Sequence, residues 1–136
     1  MNNITIIGNI GQQPELRHSS SGVAVIDFSV GVTRKVKDIK ETTWFDVVAF
    51  SDLAEHMGKS FYKGNRVIIE GRFERKEWTT KDGKKAYKMQ IIAEDGGLSC
   101  RWNNVFVDSN DVTKQIETNL FKNVPSVETF PNNDWF

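Results

Sequence analysis

Asp52–Phe61, DLAEHMGKSF, is the one stretch of the chain that reads as a helix. Leu53, His56, Met57 and Phe61 recur at helical spacing. Asp52 stands where a cap belongs and Glu55 follows three residues on, the pattern of a capping box; Gly64-Asn65 ends the segment. On both sides of it the apolar period becomes two. Upstream lies Asn3–Ile10 (NITIIGNI), with Gly8 and Gly11 suiting a strand that bends or bulges. Val23–Thr33 (VAVIDFSVGVT) then sets Ala24, Ile26, Phe28, Val30 and Val32 on one face and Asp27, Ser29, Gly31 and Thr33 on the other, and Thr43–Phe50 (TWFDVVAF) is a third strand. Downstream come Arg66–Thr79 (RVIIEGRFERKEWT) and Lys85–Glu94 (KAYKMQIIAE). Lys81-Asp82-Gly83-Lys84 joins them, and Asp-Gly between two strand patterns is a strong hairpin signal.

Three strands, one helix and two strands is the element order of an OB-fold: an all-β, five-stranded Greek-key barrel with one helix between strands 3 and 4. A generic small barrel or sandwich is the competing architecture. Leu98–Val107 has Trp102, Val105 and Val107 without helical period, which suits one more strand. From Asp108 onward Ser, Asn, Asp, Thr and Pro predominate, the composition of a disordered tail. The expected domains are therefore 1–107, the barrel, and 108–136, a flexible and mildly acidic tail.

Composition removes several function classes. A chain of 136 residues, 38 % hydrophobic and 26 % charged, supports one compact domain with a real core. No apolar run could span a bilayer and no basic-then-apolar leader opens the chain, so a cytoplasmic protein without membrane contact is expected. Cys100 is the single cysteine, which fits a reducing compartment, and His18 and His56 have no partners at metal-ligand spacing. No metal or other cofactor is expected. Gly58-Lys59-Ser60 resembles the end of a phosphate-binding loop, but the first glycine would fall at Leu53, inside the helix. No nucleophile–base grouping is visible, so the chain reads as a non-enzyme. The formal charge of +0 argues against a polyanion partner until it is divided. Residues 103–136 hold two Lys against five acids, a net of −3, and residues 1–102 hold 16 basic against 13 acidic residues, a net of +3. A modestly basic barrel carries an acidic tail.

Aromatics at the wrong parity carry the functional signal. In the fourth strand Val67, Ile69 and Phe73 face inward, leaving Arg72, Lys76 and Trp78 outside with Ile68, Glu70 and Glu74. In the third, Phe45, Val47 and Ala49 oppose Trp44, Asp46, Val48 and Phe50. A Trp left beside Arg and Lys on a solvated face needs a reason, and unpaired bases supply one, stacking for about 1–3 kcal/mol each while cations track the phosphates. Arg34, Lys35 and Lys37, in an expected loop over Arg34–Lys40, and Lys84 and Lys85 at the hairpin turn add cations. The alternative is an outer face covered by the helix, the tail or another subunit.

Three segments carry a family resemblance. Ile4–Arg17 (ITIIGNIGQQPELR) with Gly22-Val23-Ala24, Thr43–Phe50 with Leu53-Ala54-Glu55, and Lys63–Arg72 (KGNRVIIEGR) continuing to Trp78 are together similar to bacterial and phage-type single-stranded DNA-binding proteins, in register over about the first hundred residues. The resemblance implies an OB-fold, usually a homotetramer, that wraps single-stranded DNA without sequence preference in replication, recombination and repair. It implies Trp44, Phe50 and Trp78 as stacking platforms and a basic role for Lys63 and Lys76. The chain departs from the family with Val36 where many members place another Trp, with acidic Asp46 and Asp52, and with Gln13 for the usual Asp, which implies weaker affinity or a smaller site. The end, Pro131-Asn132-Asn133-Asp134-Trp135-Phe136, is similar to the family's acidic tip. Asp134, Trp135 and Phe136 are accordingly expected to bind replication and repair proteins, a terminal aromatic and carboxylate fitting an apolar pocket rimmed by cations. An adaptor with a vestigial DNA face and a general RNA-binding OB domain are the alternatives.

Overall fold

The computed structural model describes residues 1–108, and the barrel unit spans Met1–Asn103. Six strands and one helix follow in the order β1 (Ile4–Ile10), β2 (Glu15–His18), β3 (Ala24–Val36), β4 (Ile39–Phe50), α1 (Ser51–Ser60), β5 (Arg66–Thr79) and β6 (Lys85–Leu98). Hydrogen-bonded neighbours run β1-β5-β6-β4-β3-β2, and β1 also pairs with β3. Strands β1, β5, β6, β4 and β3 therefore close into a ring, with β2 attached outside it. This is the expected all-β OB barrel, with its helix between the third and fourth strands of the ring. Every ladder is antiparallel except β4–β6, which pairs Val47 with Ile91 and Val48 with Ile92 in parallel.

The period-2 pattern fills the barrel. Ile6 and Ile10 from β1, Ala24, Ile26, Phe28 and Val30 from β3, Val47 and Ala49 from β4, Val67 and Ile69 from β5, and Ile91 and Ala93 from β6 are buried in one cluster. Helix α1 adds Ala54 and Met57, and Phe61 just after it meets Phe28 edge-on, with ring centroids 5.8 Å apart. Each of the Ile and Val side chains among them contributes about 1.5–3 kcal/mol by leaving water. Gly8 is needed where β1 passes from β5 to β3, because a Cβ there would strike the Gly31 carbonyl.

Four expectations change. Residues 34–40 form no loop: β3 and β4 stay paired up to Val36 opposite Ile39, and only Lys37 and Asp38 turn, with φ of 48° and 67°. Both central residues are left-handed, as in the type I′ turn whose twist matches that of a hairpin. Next, Leu98 ends β6, and residues 99–108 add no strand. The Ser99 N–H donates to the Arg66 carbonyl, and its Oγ accepts from the Arg101 N–H at 3.3 Å, bending the chain off the ladder. Asp52 does not cap α1: the N-cap is extended Phe50 with no side-chain cap bond, Ser51 follows at φ 58°, and Asp52 lies in the first turn, where its charge suits the helix dipole. Finally β2, four exposed residues, adds a strand the alternation did not predict. An Arg17–Asp27 ion pair ties it to β3.

Candidate nucleic-acid interface

The register places Trp44 and Trp78 on the outer face of the barrel. Trp44 lies opposite Gly31, and its ring rests over Gly11 and Gly31. A Cβ at Gly11 would come within 2.5 Å of the ring and one at Gly31 within 3.0 Å, so a side chain at either position would push on the indole where it now rests. Held from below, the ring is still 59 % exposed. Trp78 stands opposite Ala86 in the β5–β6 hairpin and is 43 % exposed, while Phe50, opposite Val25 at the end of β4, is 46 % exposed. Val48, of the same parity, is buried beside Ile92. The outer face thus divides into a covered seam and three open rings.

A cleft of about 370 Å³ is lined by Gln12, Gln13, Glu15, Arg17, Asp27, Ser29, Asp46, Lys76, Lys88 and Gln90 among others. Its charges nearly cancel. Arg17 pairs with Asp27, while Asp46 takes Lys88 at 3.6 Å and the Ser29 hydroxyl at 3.3 Å. Lys76 has no carboxylate partner among the described residues, and it stands across the ladder from Lys88. The negative charge of Asp46 is offset by Lys88 from the neighbouring strand.

The remaining cations fall into two sets. Arg34 is held by Glu41 at 3.5 Å, Lys35 by Asp38 at 3.5 Å, and Arg72 by Glu74 and Glu94 at 3.3 and 3.4 Å. Arg34 also shares the parity of Val32 and Val36, the face opposite Trp44. Lys37, Lys63, Lys84 and Lys85 have no carboxylate partner among the described residues. Lys37 sits in the tight turn and Lys84 and Lys85 at the far end of the β5–β6 hairpin, where Gly83 takes φ 79°. Lys63 is brought to the cleft edge, since its N–H donates to Gln13 Oε1 at 3.0 Å, so Gln13 supplies an acceptor where the family has Asp.

Three residues escaped the sequence reading. Lys88 was visible as an outward position of the last strand, in parity with Ala86. Arg17 enters only as the last residue of the family-like segment Ile4–Arg17, because the alternation gives no sign of β2. Trp102, apolar and without helical period, suits a strand by sequence; it instead lies exposed against the Arg66 guanidinium at 4.3 Å, and Arg101 beside it is the available hint. Asp134, Trp135 and Phe136 lie outside the described residues. No helix among the described residues is long and apolar enough to cross a membrane.

Residues 1–99 match the profile of the single-strand binding protein family. The chain is 34 % identical over 101 residues to Single-stranded DNA-binding protein 1 of Xylella fastidiosa (strain 9a5c), covering 70 % of this chain and 74 % of that protein. It is also 34 % identical over 106 residues to the Single-stranded DNA-binding protein of Mycobacterium leprae (strain TN), covering 73 % of this chain and 63 % of that protein.

Proposed function

Because the chain belongs to the single-strand binding protein family, we propose that it binds single-stranded DNA without reading its sequence, by stacking bases on Trp44, Trp78 and Phe50. The observation that carries this reading is Trp44: a ring seated on two glycines and still open to solvent is a preformed platform, one that binds without an ordering cost. Lys63, Lys76, Lys84 and Lys85, unpaired among the described residues, contact phosphates first. Lys37 is available at its turn, whereas Lys35, Arg34 and Arg72 must release a carboxylate before they can contribute. With a balanced cleft and a barrel net charge of only +3, stacking supplies much of the affinity. Oligo-dT should quench the Trp fluorescence, and its affinity should fall with salt at a slope of about −0.7 per phosphate neutralised. Unchanged fluorescence at low salt, with Trp78→Ala binding as well as the parent, removes this reading. Competition by oligo-U and by duplex DNA tests the preference for single-stranded DNA.

The physiological setting is the handling of exposed single strands in replication, recombination and repair. Asp134, Trp135 and Phe136 recruit partner proteins there. Deleting these three residues should leave DNA affinity unchanged or slightly raised and abolish partner capture; a clear loss of DNA affinity would assign the tip to the barrel instead. The protein works as a homo-oligomer, a tetramer by family resemblance. The face that supports this is the paired, solvent-exposed Ile7 and Ile68 on β1 and β5. Light scattering reads the mass directly.

A further inference from the structure

The outer face of β1 and β5 is charged at both ends and apolar between them. Along β5 its outward residues are Arg66, Ile68 and Glu70, and the ladder sets Asn9, Ile7 and Thr5 of β1 beside them. Ile7 and Ile68 are 43 % and 40 % exposed. At one end Arg101 joins Arg66: their guanidinium carbons lie 5.4 and 4.3 Å from the centre of the Trp102 ring, and the Arg66 Nε is buried without an acceptor. At the other end Glu70 stands across the β5–β6 ladder from Asp95, and both line a hollow of about 240 Å³. Gly96 and Gly97 keep it open; a Cβ at Gly97 would meet nothing within 4 Å. Among the described residues no carboxylate lies within ion-pair distance of Arg66 or Arg101, and no cation lies within it of Glu70 or Asp95. Each end thus holds two like charges with nothing to offset them, an arrangement that costs stability in an isolated barrel.

The pattern is complementary to itself. A sheet laid face to face on this one stands about 10 Å away, a gap that an Arg and a Glu side chain span together. Two-fold symmetry leaves two ways to lay a copy there. An axis running along the strands sets Arg66 against Arg66 and Glu70 against Glu70. An axis running across them, along the Ile7–Ile68 row, reverses the second copy's strands. It sets Arg66 of each copy over Glu70 of the other, with the isoleucines meeting in the middle. Four residues, roughly 13 Å of strand, separate Arg66 from Glu70, so the two charged clusters flank the apolar row without touching each other.

We propose that this face seats a second copy of this chain about a two-fold axis crossing the strands at Ile7 and Ile68, the Arg66 guanidinium of each copy entering the Glu70–Asp95 hollow of the other. The pairing rests on the reading of the protein as a homo-oligomer that covers Ile7 and Ile68. It adds an orientation to that reading, and the side chains that enforce it. The apolar row supplies burial, and the charged ends exclude the other axis, because like charges brought face to face are costly. Trp102 holds the guanidinium in place at its end, so the second copy meets a cation already positioned.

The test is charge exchange in the full chain, read as mass by light scattering. Arg66→Glu alone and Glu70→Arg alone each set like charges against each other in both clusters. Each variant should run at half the parent's mass, its association weakened by about 100-fold or more. Mixed in equal amounts, the two variants should return to the parent's mass, because each carries the charge that the other lacks. That recovery also shows both to be folded. A chain with both substitutions should assemble by itself, its pairs reversed in sign. Parent mass retained by either single variant is what the axis along the strands gives, and it would overturn the pairing while the homo-oligomer reading stands. No recovery on mixing would overturn it too. A parent chain that runs at the mass of one copy would remove the homo-oligomer reading itself, and the pairing with it.

Discussion

The two hairpin arms that extend past the barrel are built alike and charged differently in effect. Residues 33–42 of β3–β4 hold four cations and two acids; residues 74–90 of β5–β6 hold six cations and three acids. Both are net positive. In the first arm, however, both acids sit on cations, Glu41 on Arg34 and Asp38 on Lys35, and the remaining Lys37 and Lys40 stand beside the aliphatic Val36 and Ile39 with no aromatic ring in the arm. In the second, Lys76 shares a face with Trp78, and Lys84 and Lys85 stand near the tip with no carboxylate within ion-pair distance among the described residues. Net charge per arm does not separate the two; the placement of acids and the presence of a ring do. A polyanion meeting the first arm must displace carboxylates to reach Arg34 and Lys35 and finds no ring there, whereas one meeting the second finds free ammonium groups next to a stacking surface.

The largest expected effect is Trp78→Ala, which should weaken oligo-dT binding by about 5- to 150-fold, while Val36→Ala at the other arm's tip changes it by less than about twofold. Titration by anisotropy reads both, and equal losses would erase the asymmetry. Next in size is the salt dependence. The pair Lys84→Gln with Lys85→Gln should flatten the slope by about 1.4, and Arg34→Gln with Lys35→Gln by less than half of that, because those two cations are already neutralised within the arm. Between the arms stands Asp46, which holds Lys88. Asp46→Asn should free that cation, tighten binding by a few-fold and steepen the slope by up to about 0.7; weaker binding would mean that the ion pair positions Trp44 rather than masking charge. The smallest effect is on stability. Lys37 turns at φ 48°, which asparagine tolerates better, so Lys37→Asn should raise Tm by about 2–4 °C with DNA affinity nearly unchanged. An affinity loss on the scale of the Trp78 variant would bring the first arm into the binding face.

The barrel was legible because burial writes itself into sequence as alternation. Val67, Ile69 and Phe73 against Arg72, Lys76 and Trp78 announce a strand, its two faces and its outward ring at once, and the Asp-Gly turn after them announces a hairpin. The first arm was not legible for the complementary reason. Beyond Val32 neither of its faces is buried, so the ladder from Thr33 to Val36 is held by backbone hydrogen bonds that leave no apolar period, and Lys37-Asp38 lacks the glycine that usually marks such a turn. The β2 strand is silent for the same reason. In the candidate interface, sequence parity supplies Trp44 and Trp78. The glycine bed under Trp44 and the Glu94 carboxylate on Arg72 depend on which strand ends beside which. Trp102 shows the limit best: its partner Arg66 is thirty-six positions away and adjacent only because β6 returns alongside β5.

The parallel seam between β4 and β6 has a consequence for how the chain reaches this state. Each arm is a local hairpin, the kind of unit that forms in about 1–10 μs. The ring, by contrast, closes only when Val47 and Val48 find Ile91 and Ile92 across the whole of α1 and β5, and when β1 reaches both β3 and β5. Loop closure of that length precedes any reward from burial, so these seams, rather than the arms, set the folding rate. Substitutions at Ile6 or Ile91 should therefore slow folding, whereas changes at the arm tips should act on unfolding alone or on neither rate. The surface that meets the ligand can in this way vary freely without disturbing the kinetics of the barrel that carries it.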